Sequence, residues 1–281
     1  MNNIYAKYLF DLPIIPKVVS DILKIPGNSQ ISSKEIQSIL EIDQYLTARL
    51  LKIANSSYYV RQEQISSIKD AVTLIGLNKI KAICLLIAGS EIIENKNSSF
   101  FHSLWEESIN TAFIAKEIAT KTGRGTIADD IFTGGILHNI GQAILYNFSN
   151  EKYDKVLLRL SDKKSSLETL EQEEFGINNH SIATEVLKSW EFPKLHIDIV
   201  NNYSNLLGHS NFQNAIDIIS ISKLINIKIT GNTLTNNEYQ QLLTYQSRLN
   251  LRKSQMDYFI NDYFDNAKKS PYYKICTASV N

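Results

Sequence analysis

The sequence predicts an all-α protein with a multi-helical fold. Apolar residues recur at helical spacing along nearly the whole chain. Serine, threonine or aspartate precedes many of these apolar runs, at the position where such residues cap a helix. Strand-like alternation is scarce, because residues 225–230 are the best strand candidate and residues 216–229 fit a helix at least as well.

The first helices are delimited by prolines and caps. Pro16 can occupy the first turn of a helix that Pro26 and the following glycine end. Ser32 and Glu35 form a capping-box pattern before an apolar face. Asp43 is a good N-cap for the next helix.

The following segments continue the helical pattern. Ser67 opens a short helix that Gly76 can close. Residues 78–93 are apolar on nearly all sides, which predicts a helix central to a core. The polar residues 94–99 indicate an internal boundary, and residues 105–122 form a long amphipathic pattern.

Helices are also predicted for the second half of the chain. Residues 129–148 carry a His-Asn motif, and Ser165 with Glu168 is the expected cap of a helix that follows. A further helix is expected over residues 180–190, and a capping box begins at Thr235. The expected organisation is an N-terminal helical subdomain over residues 1–94, a second subdomain over 95–210 and a C-terminal helical extension over 211–281.

Composition sets limits on function. The 281 residues include 29 basic and 29 acidic side chains, so the formal net charge is zero, which gives no long-range attraction for nucleic acid or an anionic membrane. The basic residues Arg248, Arg252 and Lys253 are soon offset by acidic ones, and a nucleic-acid partner is not expected. Cys84 and Cys276 indicate no disulfide framework.

The expected location is the cytoplasm. The first residues lack the basic and apolar pattern of a signal peptide. The longest apolar run, around residues 82–89, is too short to cross a bilayer.

The segment Gly134–Gly141 nearly spells a catalytic metal motif. His followed by Asp on an apolar helix is how HD-type phosphohydrolases hold a divalent cation, whereas here His138 is followed by Asn139. A carboxamide oxygen is neutral and a poorer ligand for Mg, Mn or Fe than a carboxylate. A histidine on an apolar helix is otherwise most often a core residue that donates to a backbone carbonyl.

The chain resembles the HDOD family, the bacterial "HD-related output domain". The similarity covers about residues 8–205 and rests on blocks that occur in the family's order. The blocks are Leu12–Pro16, Asp43–Tyr59, Ile68–Gly76, Leu104–Ser108, Gly134–Gly141 and His180–Pro193. The resemblance implies an all-α fold in which an N-terminal helical subdomain packs on a degenerate HD-like subdomain.

The resemblance also implies that most metal ligands are lost. Glu107 stands where catalytic relatives have a histidine, and Asn139 stands in place of the aspartate. The expected later histidine pair reads Asn202-Tyr203. The closing aspartate falls near Lys223, which would repel a cation.

The expected function is therefore a non-catalytic signal-transduction module that binds a protein partner. A small ligand could tune it in a vestigial cleft formed by Glu107, His138, Asn139 and His180. No metal, cofactor or membrane is expected, and homodimerisation is left open. The alternative is a metal-dependent phosphohydrolase in which Glu107, His138 and His180 hold Fe(II) or Mn as a facial set.

The segment that contains Asn55, Ser56, Tyr58 and Tyr59 has two interpretations. It follows a helix, so it fits a C-terminal turn in which Asn55 accepts an unusual backbone conformation and the tyrosines pack between subdomains. It also fits a partner-contacting surface, because tyrosine is favoured where an apolar body meets a polar rim.

Overall fold

Helices make up the regular secondary structure of the residues that the structure describes. The computed structural model describes residues 17–25, 29–55, 65–94, 99–162 and 165–278. Across those ranges the backbone is helix, turn or irregular loop, and none of it is strand. The all-α prediction is therefore confirmed, and the strand candidate at residues 225–230 lies mainly within a helix.

The first helices of the described chain pack as one N-terminal group. They are α1 (Lys17–Lys24), α2 (Ser33–Leu40), α3 (Gln44–Ala54), α4 (Ile68–Ile75) and α5 (Leu77–Glu94). α2 lies against α1 and α4, while α1, α3 and α4 all contact α5. α5 in turn contacts a helix of the following group, so it joins the two parts of the molecule.

The predicted caps of this group are confirmed. Ser32 accepts a hydrogen bond from the Glu35 backbone, and the Glu35 carboxylate accepts from Ser32 N. Asp43 accepts from the backbone N–H three residues later, and Ser67 caps α4. Gly76 ends α4 with a φ of +84°, a conformation that glycine adopts without steric cost. The residues 16, 26 and 27 that were expected to delimit α1 lie outside the described ranges.

A second group of helices surrounds one long helix. Its members are α6 (Ser99–Lys121), α7 (Ala128–Leu137), α8 (Ile140–Phe148), α9 (Asn150–Leu160), α10 (Leu167–Phe175), α11 (Asn179–Ser189), α12 (Lys194–Asn202), α13 (Gln213–Ile229), α14 (Asn236–Arg248), α15 (Lys253–Tyr258), α16 (Phe264–Lys269) and α17 (Pro271–Ala278). A short 3₁₀ turn, Gly125–Ile127, precedes α7, and a π-helical turn, Phe259–Tyr263, joins α15 to α16. α6 lies at the centre and contacts α7, α13 and α17.

Two predicted elements differ from the structure. The helix expected over residues 129–148 is interrupted at His138 and Asn139, which form a turn between α7 and α8. The cap expected at Ser165 is wrong by one position, because the Ser166 hydroxyl accepts from the Thr169 backbone N–H. The side chain of Glu168 lies next to His180.

Glycines let helices approach closely around this turn. A Cβ at Gly135 would lie 2.5 Å from Cα of Ala112 in α6, so α7 packs backbone to backbone on α6. A Cβ at Gly141 would lie 1.9 Å from the Asn179 carbonyl oxygen, at the start of α11. The glycines of the His-Asn motif therefore serve close helix packing, and this packing positions His138 and Asn139.

The segment beyond residue 210 packs on the same helices. α13 contacts both α6 and α7. The Tyr273 hydroxyl of α17 donates a 2.7 Å hydrogen bond to Asn110 Oδ1 in the buried face of α6. In the described part of the chain, no helix combines the length and the apolarity needed to cross a bilayer.

Candidate functional site

A charged cluster lies where α6, α13 and the end of α7 meet. Lys223 Nζ lies 3.3 Å from Glu107 Oε1, and His138 Nε2 lies 3.9 Å from the same oxygen. The side chains of Glu107 and Lys223 are 30% and 26% exposed, whereas that of His138 is 0% exposed. His138 is thus fully buried beneath two charged side chains that face partly toward solvent.

The tautomer of His138 follows from its hydrogen bond. Nδ1 lies 2.6 Å from the Gly135 carbonyl oxygen, which can only accept, so Nδ1 carries the proton. Nε2 is then unprotonated and carries a lone pair on the side of Glu107. Nε2 has no hydrogen-bond partner among the described residues. Burial lowers the pKa of His138 despite the neighbouring carboxylate, so the neutral ring is favoured.

Glu107 and Lys223 stabilise each other as ions. Burial alone would raise the pKa of Glu107, but the Lys223 ammonium holds it well below its usual range. Burial alone would lower the pKa of Lys223, but Glu107 and Tyr203 raise it above its ordinary value. Both side chains therefore stay charged over the physiological pH range.

Tyr203 contacts both histidines of the predicted cleft. Its ring centroid lies 5.1 Å from that of His138 and 4.7 Å from that of His180. Lys223 Nζ lies 5.1 Å from the same ring centroid, a cation–π distance. The tyrosine thus occupies the place where the family resemblance led us to expect a histidine pair.

His180 belongs to a second cluster, apart from Glu107. Its Nδ1 donates to the Val200 carbonyl oxygen at 2.6 Å. Its Nε2 lies 2.7 Å from Ser204 Oγ and 3.4 Å from Glu168 Oε1. The hydrogen bond with His180 is the main cause that lowers the pKa of Glu168 to about 2.

Asn139 is part of a buried polar network. Its Nδ2 donates to Ser108 Oγ at 3.4 Å, and its Oδ1 accepts from Gln142 Nε2 at 3.1 Å and from the Tyr203 hydroxyl at 3.5 Å. The network continues through Gln142 and the Tyr153 hydroxyl to the fully buried carboxylate of Glu171. The Asn139 side chain therefore joins α6, α8 and the residue that follows α12.

These donors do not fit the metal site of catalytic relatives. An ammonium lies against the one carboxylate that faces His138, and the second histidine is bonded to Ser204. The amide oxygen of Asn139 already accepts from two side chains. Within the described ranges, no three His, Cys, Asp or Glu side chains converge as metal ligands would.

Asn55 connects two segments of the N-terminal group. Its Nδ2 donates to the carbonyl oxygens of Leu51 and Ile65, and its Oδ1 accepts from Ile65 N at 2.7 Å. Its backbone has a φ of −93° and ψ of 6°, which lies in the sparsely populated bridge region and not in the left-handed one. Ser56, Tyr58 and Tyr59 lie outside the described residues.

Sequence reasoning missed the surroundings of His180. Glu168 was interpreted only as part of a capping pattern, and Ser204 carried no signal. Both residues reach His180 because α11 packs between α10 and α12, a tertiary arrangement that no local pattern encodes.

The fold and the site together define a class: an all-helical protein in which buried histidines lie next to carboxylates, without a converging set of metal ligands among the described residues. A family model for the HDOD domain matches residues 12–206. The chain therefore belongs to the HDOD family, as the sequence blocks predicted.

Individual relatives are distant. A protein of Treponema pallidum (strain Nichols), described only as uncharacterized, is 21% identical over 208 residues, which are 72% of this chain and 39% of that protein. The chain thus spans less than half the length of this curated relative.

Solved structures share the fold over almost their full length. An HDOD domain protein of unknown function from Geobacter sulfurreducens is 19% identical, with a TM-score of 0.73 over 98% of this chain and 96% of that one. A Shewanella amazonensis protein that is named, provisionally, a phosphohydrolase is also 19% identical, with a TM-score of 0.73 over 99% of this chain and 98% of that one. At this identity the likeness establishes the fold alone.

Proposed function

We propose that this protein is a non-catalytic signal-transduction module that acts by binding a protein partner. In this proposal the HD-like cleft is a structural or ligand-sensing element. The cleft residues Glu107, His138, Asn139 and His180 then transmit or stabilise a conformation and do not activate water.

The observation that carries this proposal is that the two histidines have different partners. A metal-dependent hydrolase with the reduced ligand set needs Glu107, His138 and His180 to face one ion. His138 faces Glu107, whereas His180 is bonded to Ser204 and lies next to Glu168. Tyr203 contacts both rings.

The alternative is a metal-dependent phosphohydrolase. It draws support from the 3.9 Å distance between Glu107 Oε1 and His138 Nε2 and from the name of the Shewanella relative. The first test is a hydrolysis assay with Mn²⁺ or Mg²⁺ on bis(4-nitrophenyl) phosphate, nucleotides and cyclic dinucleotides. Glu107→Gln is the matched control, because this half-buried residue keeps its size on substitution.

We expect no turnover by the wild type above the rate measured for Glu107→Gln. Turnover that depends on added metal and disappears in Glu107→Gln would establish the hydrolase alternative and reject a non-catalytic role.

The partner-binding part of the proposal has its own test. A photo-reactive benzoylphenylalanine replaces Tyr58 or Tyr59 in cells, and the same group at Leu158 is the control, because Leu158 is a strongly exposed apolar residue on α9. We expect a discrete cross-linked species from positions 58 and 59 and none from position 158. Cross-linking from the α9 position alone would contradict a partner-contacting surface at Tyr58 and Tyr59.

A further inference from the structure

We infer that the Lys223 ammonium is the resident cation of the HD-like cleft, a covalently attached replacement for a metal ion. Its Nζ lies 3.3 Å from Glu107 Oε1 and 5.1 Å from the Tyr203 ring centroid. One positive charge therefore faces both the carboxylate and the electron-rich ring that form the wall of the cleft.

The site needs a positive charge. Glu107 Oε1 and the His138 Nε2 lone pair are both electron-rich and lie 3.9 Å apart. Two such atoms repel each other unless a cation or a proton lies near them. The Lys223 side chain supplies that charge at the carboxylate.

The histidines are held as metal-binding histidines are. In metal sites the ring nitrogen that does not bind the ion donates to a carbonyl or carboxylate, which fixes the tautomer. His138 and His180 both donate through Nδ1 to backbone carbonyls, of Gly135 and Val200. The orientation of the rings is thus kept, while the position next to Glu107 is filled by an ammonium.

The ion pair also joins distant parts of the chain. Glu107 lies in α6 and Lys223 lies in α13, and these helices pack on each other. A bound metal joins helices only while it stays bound, whereas Lys223 cannot dissociate. The cleft therefore keeps its shape at any metal concentration, and the ammonium repels divalent cations.

The first test is a double-mutant cycle with Lys223→Met, Glu107→Gln and the double variant. Each single change leaves one partly buried charge without its partner, whereas the double change removes both charges. We expect each single variant to lower the thermal unfolding midpoint by about 4 °C or more. The double variant should unfold at a higher temperature than either single variant.

Lys24→Met is the control for loss of a lysine charge. It breaks the 2.7 Å pair of Lys24 with Glu191, whose side chain is 72% exposed, and it should change the midpoint by about 1 °C or less. Effects of Lys223→Met and Glu107→Gln that simply add in the double variant would reject the inference.

The second test asks whether removing the ammonium admits a metal ion. Thermal unfolding is measured with and without Mn²⁺ at about a millimolar concentration, where binding to the folded state raises the midpoint. Mn²⁺ should leave the midpoint of the wild type unchanged and raise that of Lys223→Met by about 2 °C. It should again leave the midpoint of Lys223→Met/Glu107→Gln unchanged.

A rise of the wild-type midpoint with Mn²⁺, or no response of Lys223→Met, would show that the ammonium does not occupy the place of the ion. Neither measurement involves a partner or a substrate. Failure of this inference is therefore distinguishable from failure of the proposed function.

Discussion

Asn139 keeps the shape of an aspartate, and its neighbours use the amide group that an aspartate lacks. Its Nδ2 donates to Ser108, and its Oδ1 accepts from Gln142 and Tyr203. A carboxylate at this buried position would lose the bond to Ser108 and add a charge near Glu107. The exchange of aspartate for asparagine is thus compatible with a packed polar network, which costs little because its members are paired.

Glu168 provides a prediction about acid stability. Its pKa is lowered to about 2 by His180, so the folded state favours the ionised carboxylate. A carboxyl with a lowered folded pKa contributes stability above its unfolded pKa of about 4.3, and loses it as the pH falls toward 2. Because the side chain is one-third exposed, we expect this contribution to be about 1–2 kcal/mol.

Urea unfolding of wild type and Glu168→Gln between pH 6 and pH 2 measures this contribution. The Gln variant should be less stable at pH 6, and the difference should shrink as the pH falls. Glu173→Gln is the control, because Glu173 pairs with Arg159 where both side chains are about half exposed. Parallel pH profiles for wild type and Glu168→Gln would contradict the prediction.

Part of the site could be predicted from residues alone. Glu107, His138 and Asn139 were singled out from their positions in the family's blocks, and Lys223 from its place near the expected closing aspartate. Glu107, His138 and Lys223 lie together. His180 lies with Glu168 and Ser204, and this pairing could not be predicted. It depends on how α10, α11 and the segment after α12 pack, and the spacing of residues within one helix carries no information on that.

Helices were predictable where a short-range cap encodes their start. Ser32, Asp43, Ser67 and Thr235 each accept a backbone hydrogen bond within three residues, so the local sequence is sufficient. The break between α7 and α8 was not predictable, because it lies within a continuous apolar pattern. It occurs where the Asn139 side chain makes hydrogen bonds with Ser108 and Tyr203, which the tertiary fold brings close.

Gly141 yields a prediction about helix packing. A Cβ here would meet the Asn179 carbonyl oxygen at 1.9 Å, and a backbone atom at the start of α11 cannot move without shifting the helix. We expect Gly141→Ala to destabilise the protein by about 2–4 kcal/mol, as overpacking at a rigid contact does. Chemical denaturation followed by circular dichroism measures the change.

Gly125→Ala is the matched control for this substitution. A Cβ at Gly125 would have open space around it, and its φ is not in the left-handed region. It should change the unfolding free energy by less than about 1 kcal/mol. Equal effects of the two substitutions would show that the close contact between α8 and α11 does not require glycine at position 141.

Buried polar side chains lie on both sides of the packing between the N-terminal group and the rest of the molecule. Lys81 on α5 donates to the Ile25 carbonyl oxygen after α1. α5 packs on α7, and the Asp130 carbonyl oxygen on α7 accepts from His196 Nε2 of α12 at 3.2 Å. Lys81 also interacts electrostatically with Asp130 and His196, so the two groups meet at a lysine and a histidine that are both buried.

His196 makes the stability of this region depend on pH. Its Nε2 carries the proton, and its buried Nδ1 has no hydrogen-bond partner among the described residues. Burial lowers the pKa of His196 to about 4, and the Lys81 ammonium acts in the same direction. A histidine with a lowered folded pKa stabilises the protein above its unfolded pKa of about 6.5, and this stability is lost as the pH falls toward 4.

His196→Gln separates this titration from the others. Gln does not titrate, so the unfolding free energy of the variant should fall less steeply than that of the wild type between pH 7 and pH 4. The shift from 6.5 to about 4 corresponds to a difference of about 3 kcal/mol at most. His138, whose pKa is also lowered, contributes to the slope that remains in the variant. If the unfolding free energies of variant and wild type fell equally with pH, His196 would not be held neutral. Other titrating groups would then cause the loss of stability in acid.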